Sequence, residues 1–212
     1  MQIIDQSTWP RKEMFDFYSG ISCPFYMVTF KMDVTRLYDY AKAHGLSFYL
    51  SMVYLCTETV NSIETFRYAI RGGDVVLLDG RDPVFCDLRE GEDLFYIVNV
   101  TREGPLDAFC RRAKEKSLKQ RGFMPEPIRD DQIIFSCLPW VDLTAITNEH
   151  ELRAPDAADD TDLLLCWGKF EEENGRRILN ISIDVNHRFI DGLSIGRFAK
   201  GLEERIANLE LP

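Results

Sequence analysis

No run of about 18 apolar residues occurs anywhere in the 212-residue chain, which argues against a membrane-spanning helix. The opening "MQIIDQSTWPRKEMF" lacks both a basic leader and a long apolar segment, so a secretory signal is not expected and the cytoplasm is. Positive charge is scarce: 25 Lys and Arg stand against 35 Asp and Glu, a net charge of −10. Nucleic-acid binders carry a basic face, and the one dense basic run, "CRRAKEKSLKQR" (110–121), reads as the wet side of a helix with Glu115–Lys119 spaced for pairing. Nucleic acid is therefore excluded. The six cysteines show no C-x-x-C and no zinc-like spacing, so no metal site is expected. They sit in apolar runs such as "VYLCTETV" and read as buried thiols in a reducing compartment. Repeats, low-complexity tracts and Gly/Ser/Pro linkers are all missing, so residues 1–212 are expected to form one domain.

What is present alternates between strand and helix patterns. "FYMVTFKMDV" (25–34) reads as a strand. Asp33 is placed to cap a helix over "VTRLYDYAKAHG", and Ser47 opens a buried helix over "FYLSMVYLCTETVNSI". Four strands follow, "FRYAIRG", "DVVLLD", "PVFCDL" and "LFYIVNV", with "RGGD" as a hairpin turn. A helix is predicted over about 105–121 and a strand over 132–143, broken by Pro139. "RAPDAADDTD" (153–162) reads as a mobile acidic loop. "LLLCWGKFEEENGRRILNISIDVN" reads as a hairpin turning at Glu173–Gly175, and a last helix runs from Asp191 to Asn208. Strands and helices without strict alternation predict an α+β two-layer sandwich with a mixed β-sheet.

Histidine is the rarest candidate for chemistry, with three in the chain. His187 stands where the last strand meets the last helix, a rigid place from which to aim a general base. The alternative is a structural histidine bonded to backbone. Asp191, four residues on, has three uses open to it: orienting His187, capping the helix, or pairing with an arginine.

"NHRFIDG" is similar to the H-x-x-x-D-G signature shared by chloramphenicol acetyltransferases and the catalytic domains of dihydrolipoamide acyltransferases. "WPRKEMFDFY" (9–18), "FRYAIRGGDVVLLDGRDPVF" (66–85) and "IIFSCLPWVDLTAI" (133–146) resemble further segments of chloramphenicol acetyltransferases, in the same order and covering nearly the whole chain. The resemblance implies a trimeric O-acetyltransferase with active sites between subunits, and a role in antibiotic resistance. His187 would deprotonate an acceptor hydroxyl that attacks acetyl-CoA directly, and Ser136 would hold the oxyanion. Arg11 and Asp191 would form a structural ion pair. Trp140, Lys169 and Phe170 would bind the CoA. Tyr18, Phe25, Val84, Cys86, Phe95 and Cys166 would line the acceptor side. Acetyl-CoA would be a cosubstrate, with no cofactor bound permanently.

Two departures bear on the acceptor and on the oxyanion. Asn186 stands where the acetyltransferases usually have a histidine, and Asn–His–Arg is closer to the dihydrolipoamide acyltransferase form. Cys166 stands where the family has a threonine that holds a water. An acyltransferase of the same fold acting on another hydroxyl, amine or thiol is therefore the alternative. A non-catalytic CoA- or ligand-binding trimer is disfavoured, since His187, Ser136, Arg11 and Asp191 are all retained.

Overall fold

A computed structural model describes residues 1–150 and 159–211. Chain order is β1 (Gln2–Ile3), α1 (Lys12–Ser19), β2 (Phe25–Asp33), α2 (Thr35–Ala43), α3 (Phe48–Asn61), a 3₁₀ turn (Glu64–Arg67), β3 (Tyr68–Arg71), β4 (Asp74–Leu77), β5 (Asp82–Asp87) and β6 (Tyr96–Asn99). Then come α4 (Leu106–Lys119), β7 (Gln132–Cys137), β8 (Leu164–Trp167), β9 (Glu171–Glu173), β10 (Arg176–Asn186) and α5 (Gly192–Ala207).

Among the described residues the main sheet runs β2-β10-β8-β7-β5-β6, with β9 added to β10. The β5–β7 and β7–β8 pairs are parallel and the others antiparallel, so the sheet is mixed and the expected α+β class holds. A small antiparallel sheet, β1-β4-β3, stands apart. Alternation along β10 sorts its two faces. Leu179, Ile181, Ile183 and Val185 are fully buried in the main core with α3 and α5 side chains such as Val53, Val60, Phe198 and Leu202. Asn180, Ser182, Asp184 and Asn186 point to the opposite, polar face.

Local chemistry sets the element ends. Ser47 accepts the Leu50 N–H and caps α3, as its position predicted. Asp33 accepts the N–H and hydroxyl of Thr35, holding the entry to α2 two residues ahead. Gly72 and Gly73, both at positive φ, form the two-residue turn of β3–β4. Asn174 and Gly175 do the same between β9 and β10. On α4 the predicted wet face carries exposed pairs, Asp107–Arg111 at 2.6 Å and Glu115–Lys119.

Several expected strands are shorter. The first half of "FRYAIRG" is the 3₁₀ turn, and "LFYIVNV" is strand only at Tyr96–Asn99. The long hairpin is interrupted at Gly168–Phe170, where the chain after β7 crosses it: Lys169 N–H donates to the Val141 carbonyl at 2.8 Å. A Cβ on Gly168 would strike that same carbonyl, so only glycine lets the crossing close. Six residues of the predicted mobile acidic loop, 153–158, lie outside the described residues.

Candidate active site

β10 ends at Asn186, and the next five residues turn the chain into α5. Phe189 and Ile190 are buried, with Phe189 packed among the rings of Trp9, Phe15 and Tyr68. These apolar anchors hold the turn and leave His187 half-exposed at its rim. The His187 N–H donates to the Pro24 carbonyl at 2.7 Å. Among the described residues neither ring nitrogen has a hydrogen-bond partner, so the backbone-bonded structural role does not describe this side chain. Stacking fixes its plane instead: Tyr18 lies 3.9 Å from the ring centroid and Tyr26 4.2 Å. The Tyr26 hydroxyl is tied to the Ile190 carbonyl, and burial pushes it up to about 12, so it stays a neutral phenol. Burial lowers His187 from its ordinary value, with the charge of Asp191 pulling the other way. The ring is neutral at pH 7 and able to take a proton.

Asp191 does two of its three candidate tasks. Oδ1 accepts from Ser194 N–H and Oγ, both at 2.8 Å, capping α5. Oδ2 accepts from Arg11 Nη2 at 2.9 Å, and that nitrogen also donates to the Phe189 carbonyl at 2.8 Å. It makes no hydrogen bond to His187. Burial would raise the Asp191 carboxyl, but Ser194 and Arg11 outweigh it and hold the group at about 2. A carboxyl depressed on folding stabilises above its unfolded value near 4 and loses that contribution as pH falls through 2. Asp191→Asn keeps a cap acceptor and loses the ion pair. With Arg11 and Asp191 24% and 30% exposed, the expected cost at pH 7 is about 1–2 kcal/mol. Urea titrations of both proteins should show that gap closing between pH 4 and 2.

Ser136 lies elsewhere. It sits on β7 between Cys166 of β8, its registered partner, and Cys86 of β5, with a thiol on either side of its hydroxyl. Burial pushes both thiols up, Cys166 to about 11, with Ser136 only partly offsetting it. These sulfurs are therefore not thiolate nucleophiles at neutral pH. Ser136, Cys86, Phe95 and Trp140 line one cavity of about 400 Å³ together with Leu88, Leu138 and the carboxylates of Asp87 and Asp93. Of the other expected acceptor residues, Val84 and Cys166 are fully buried behind it. Tyr18 belongs to His187, and Phe25 stacks on His150 at 3.7 Å.

A second cavity, about 580 Å³, is lined by Lys169, Phe170, Asp142 and Glu171–Glu173. Four carboxylates beside one lysine look hostile to a polyanion, yet two of them are paired with cations. Glu172 meets Arg177 at 3.5 Å and Glu173 meets Lys31 at 3.4 Å, while the neighbouring Asp142 raises the Glu171 carboxyl. Lys169 is the one cation of this lining and has no ion-pair partner among the described residues. Phe170 is half sunk into the core, edge-on to Tyr38 and Phe48.

His187 and Ser136 do not meet within one chain. Ser136 is level with Cys166 and then Ser182 across the sheet, and His187 lies five residues beyond Ser182. Strand spacings make that separation about 20 Å. Exposed apolar side chains lie around each residue: Phe17 (68% exposed), Ile21 and Leu193 (63%) in the segments flanking His187, and Trp140 (72%), Phe95 and Leu88 around Ser136. Sequence reading missed Tyr26, a β-strand aromatic with no mark of function, and His150, which lies in an acidic stretch without a motif.

Comparison with known proteins gives one consistent result. The family model described as chloramphenicol acetyltransferase matches residues 1–203. Chloramphenicol acetyltransferase 3 of Escherichia coli is 27% identical over 209 residues, covering 94% of each chain. Chloramphenicol acetyltransferase 2 of the same organism is 28% identical, covering 97% of each. A solved chloramphenicol acetyltransferase superposes with a TM-score of 0.85 at 28% identity over 97% of this chain and 99% of the other. The cubic core of the pyruvate dehydrogenase complex shares the fold, with a TM-score of 0.65 at 18% identity over 92% of this chain and 86% of the other.

Proposed function

Since the chain belongs to the chloramphenicol acetyltransferase family and is an acyltransferase, we propose that it moves acetyl from acetyl-CoA to a hydroxyl of chloramphenicol or a similar small acceptor. The observation that carries this reading is the His187 ring, stacked on two tyrosines with neither nitrogen hydrogen-bonded among the described residues. His187 takes the hydroxyl proton as the oxygen bonds to the thioester carbonyl carbon. The tetrahedral oxyanion is held by the Ser136 hydroxyl. The intermediate then collapses, the C–S bond breaks, and the CoA thiolate takes the proton from His187. No acyl-enzyme forms.

A separation of about 20 Å is incompatible with reacting atoms about 3–3.5 Å apart. The working site therefore pairs His187 of one chain with Ser136 of a neighbour. The exposed apolar side chains around the two residues are unlike each other, which suits a heterologous contact that closes into a ring, a homotrimer. Residues 1–212 act as one catalytic unit in the cytoplasm. Lys169 meets the CoA phosphates and Trp140 its pantetheine arm, while Phe170 offers a ring to the adenine.

Purified protein with acetyl-CoA and a panel of hydroxyl, amine and thiol acceptors tests this, with release of free CoA read by a thiol reagent. Turnover with chloramphenicol supports the drug as acceptor. Turnover restricted to a thiol or amine would replace the acceptor and keep the chemistry. CoA binding without turnover on any acceptor would sink the reading. Lys169→Gln should raise KM for acetyl-CoA about three- to tenfold and leave kcat unchanged.

A further inference from the structure

After β7 the described residues 138–150 and 159–162 form a strap between the Ser136 end of β7 and the His187 end of β10. It leaves Ser136 and crosses the chain just past β8, where Lys169 N–H reaches the Val141 carbonyl. It then follows β10 along the polar face. Asn180 Nδ2 donates to the Leu143 carbonyl at 2.9 Å, and Asn148 N–H reaches Asp184 Oδ2 at 3.4 Å. Past the undescribed residues, the Asp160 carbonyl accepts from Asn186 Nδ2 at 3.0 Å and Arg188 Nη2 at 2.7 Å, on either side of His187. Asn186 Oδ1 in turn takes the N–H and Nε of Arg188 at 2.9 and 3.1 Å. The residue that sets this chain apart from the usual motif is thus a pin for the strap.

His150 sits at the centre of the strap, its side chain only 8% exposed. Its ring stacks flat on Phe25, which is registered opposite Asn186 and follows Pro24, the acceptor for His187 N–H. Nδ1 lies 3.3 Å from Asp160 Oδ2 and Nε2 3.6 Å from Asp184 Oδ1. A buried carboxylate, Asp184, and a partly buried one, Asp160, on opposite edges of one ring favour a cation between them.

We propose that His150 is a positioning residue: as an imidazolium clamped between Asp160 and Asp184, it rivets the strap and the Phe25 ring against the strand end that presents His187.

The charges facing it are Asp184 from β10 and Asp160 from the returning strap, with Asp162 behind and Arg188 beyond Asp160; β2 contributes the Phe25 ring. Burial favours the neutral ring, but the two carboxylates outweigh it and lift His150 to about 10. The clamp therefore holds throughout neutral pH and opens as pH rises through 10. Losing it leaves Asp184 buried and unpaired, which shifts Phe25 and with it His187.

The kinetic half of the test rests on the proposed acetyl transfer; the spectroscopic half does not. The chain has three histidines, so ¹⁵N-imidazole spectra give three assignable rings, with His150→Gln identifying one. At pH 8 the His150 ring should be doubly protonated and the His187 ring neutral. A neutral His150 at pH 8 would overturn the proposal whether or not the enzyme turns over. In kinetics, His150→Gln should lower kcat about tenfold with KM for acetyl-CoA within twofold of wild type. His150→Gln with Asp184→Asn, which removes the stranded charge, should return to within about threefold and lack the fall in kcat expected of wild type near pH 10. A single variant with wild-type kcat, or a double variant no better than the single, would overturn the clamp. If wild type acetylates nothing, the reaction reading fails, and the spectra alone decide the clamp.

Discussion

Replacing His187 by alanine is expected to lower kcat about 10³-fold while leaving KM for both substrates near wild type. An aliphatic hydroxyl loses its proton far too reluctantly at pH 7 to attack a thioester unaided. Within this half of the site the other groups cannot substitute. Tyr26 is a neutral phenol bonded to the Ile190 carbonyl, and Asp191 is held at about 2 with its oxygens taken by Ser194 and Arg11. The sign of the pH effect follows from the same ring. Burial lowers His187 below 6.5, so kcat/KM should be flat from pH 7 to 8 and fall only as acid protonates the ring. The residual rate of His187→Ala should lack that acid limb. Initial rates of CoA release between pH 5 and 8 check both. Since the ring also fills the gap between Tyr18 and Tyr26, circular dichroism should accompany the kinetics. A variant that folds and keeps wild-type kcat would remove His187 from the chemistry.

How far the sequence could be read depended on whether a feature was local. Ser47 as a cap, the Gly72–Gly73 turn and the end of β7 before Pro139 are set by side chains within a few residues of the effect. The Arg11–Asp191 pair spans 180 positions and was legible only through resemblance, because nothing near Arg11 announces its partner. The strand of "FRYAIRG" was overcalled because its apolar residues serve another geometry: Phe66 is fully buried within a 3₁₀ turn. The acceptor residues divided for a similar reason. An aromatic in a strand signals burial and not direction, so Phe25 and Tyr18 fell to His150 and His187, while Phe95 reached the Ser136 cavity. His150 carried no signal because its two carboxylates come from separate elements, Asp160 after the undescribed residues and Asp184 on β10. Asn186 was conspicuous as a departure, but its role as an anchor for Arg188 and Asp160 needed coordinates.

Ser136→Ala should lower kcat about a hundredfold or more, since one preorganised donor to an oxyanion is worth about 3 kcal/mol. The fold should survive. The side chain stands between two thiols on an interior strand, and removing one hydroxyl leaves two neutral sulfurs in contact with a methyl group. The sharper experiment mixes this variant with His187→Ala, each nearly inactive alone. Within one chain the two residues are about 20 Å apart, so a site contained in a single chain would stay dead in every mixture. A site built by His187 of one chain and Ser136 of the next behaves otherwise. Every trimer holding both variants has one interface where an intact His187 faces an intact Ser136. Random assembly of equal amounts gives three mixed trimers in four, each with one working site in three. Co-expression should therefore restore about a quarter of wild-type kcat per chain. Simple mixing of preformed trimers should restore none until subunits exchange, which separates shared sites from reversion or contamination. Recovery near a quarter would place both residues at one interface, and no recovery in co-expressed, trimeric protein would assign them to different tasks.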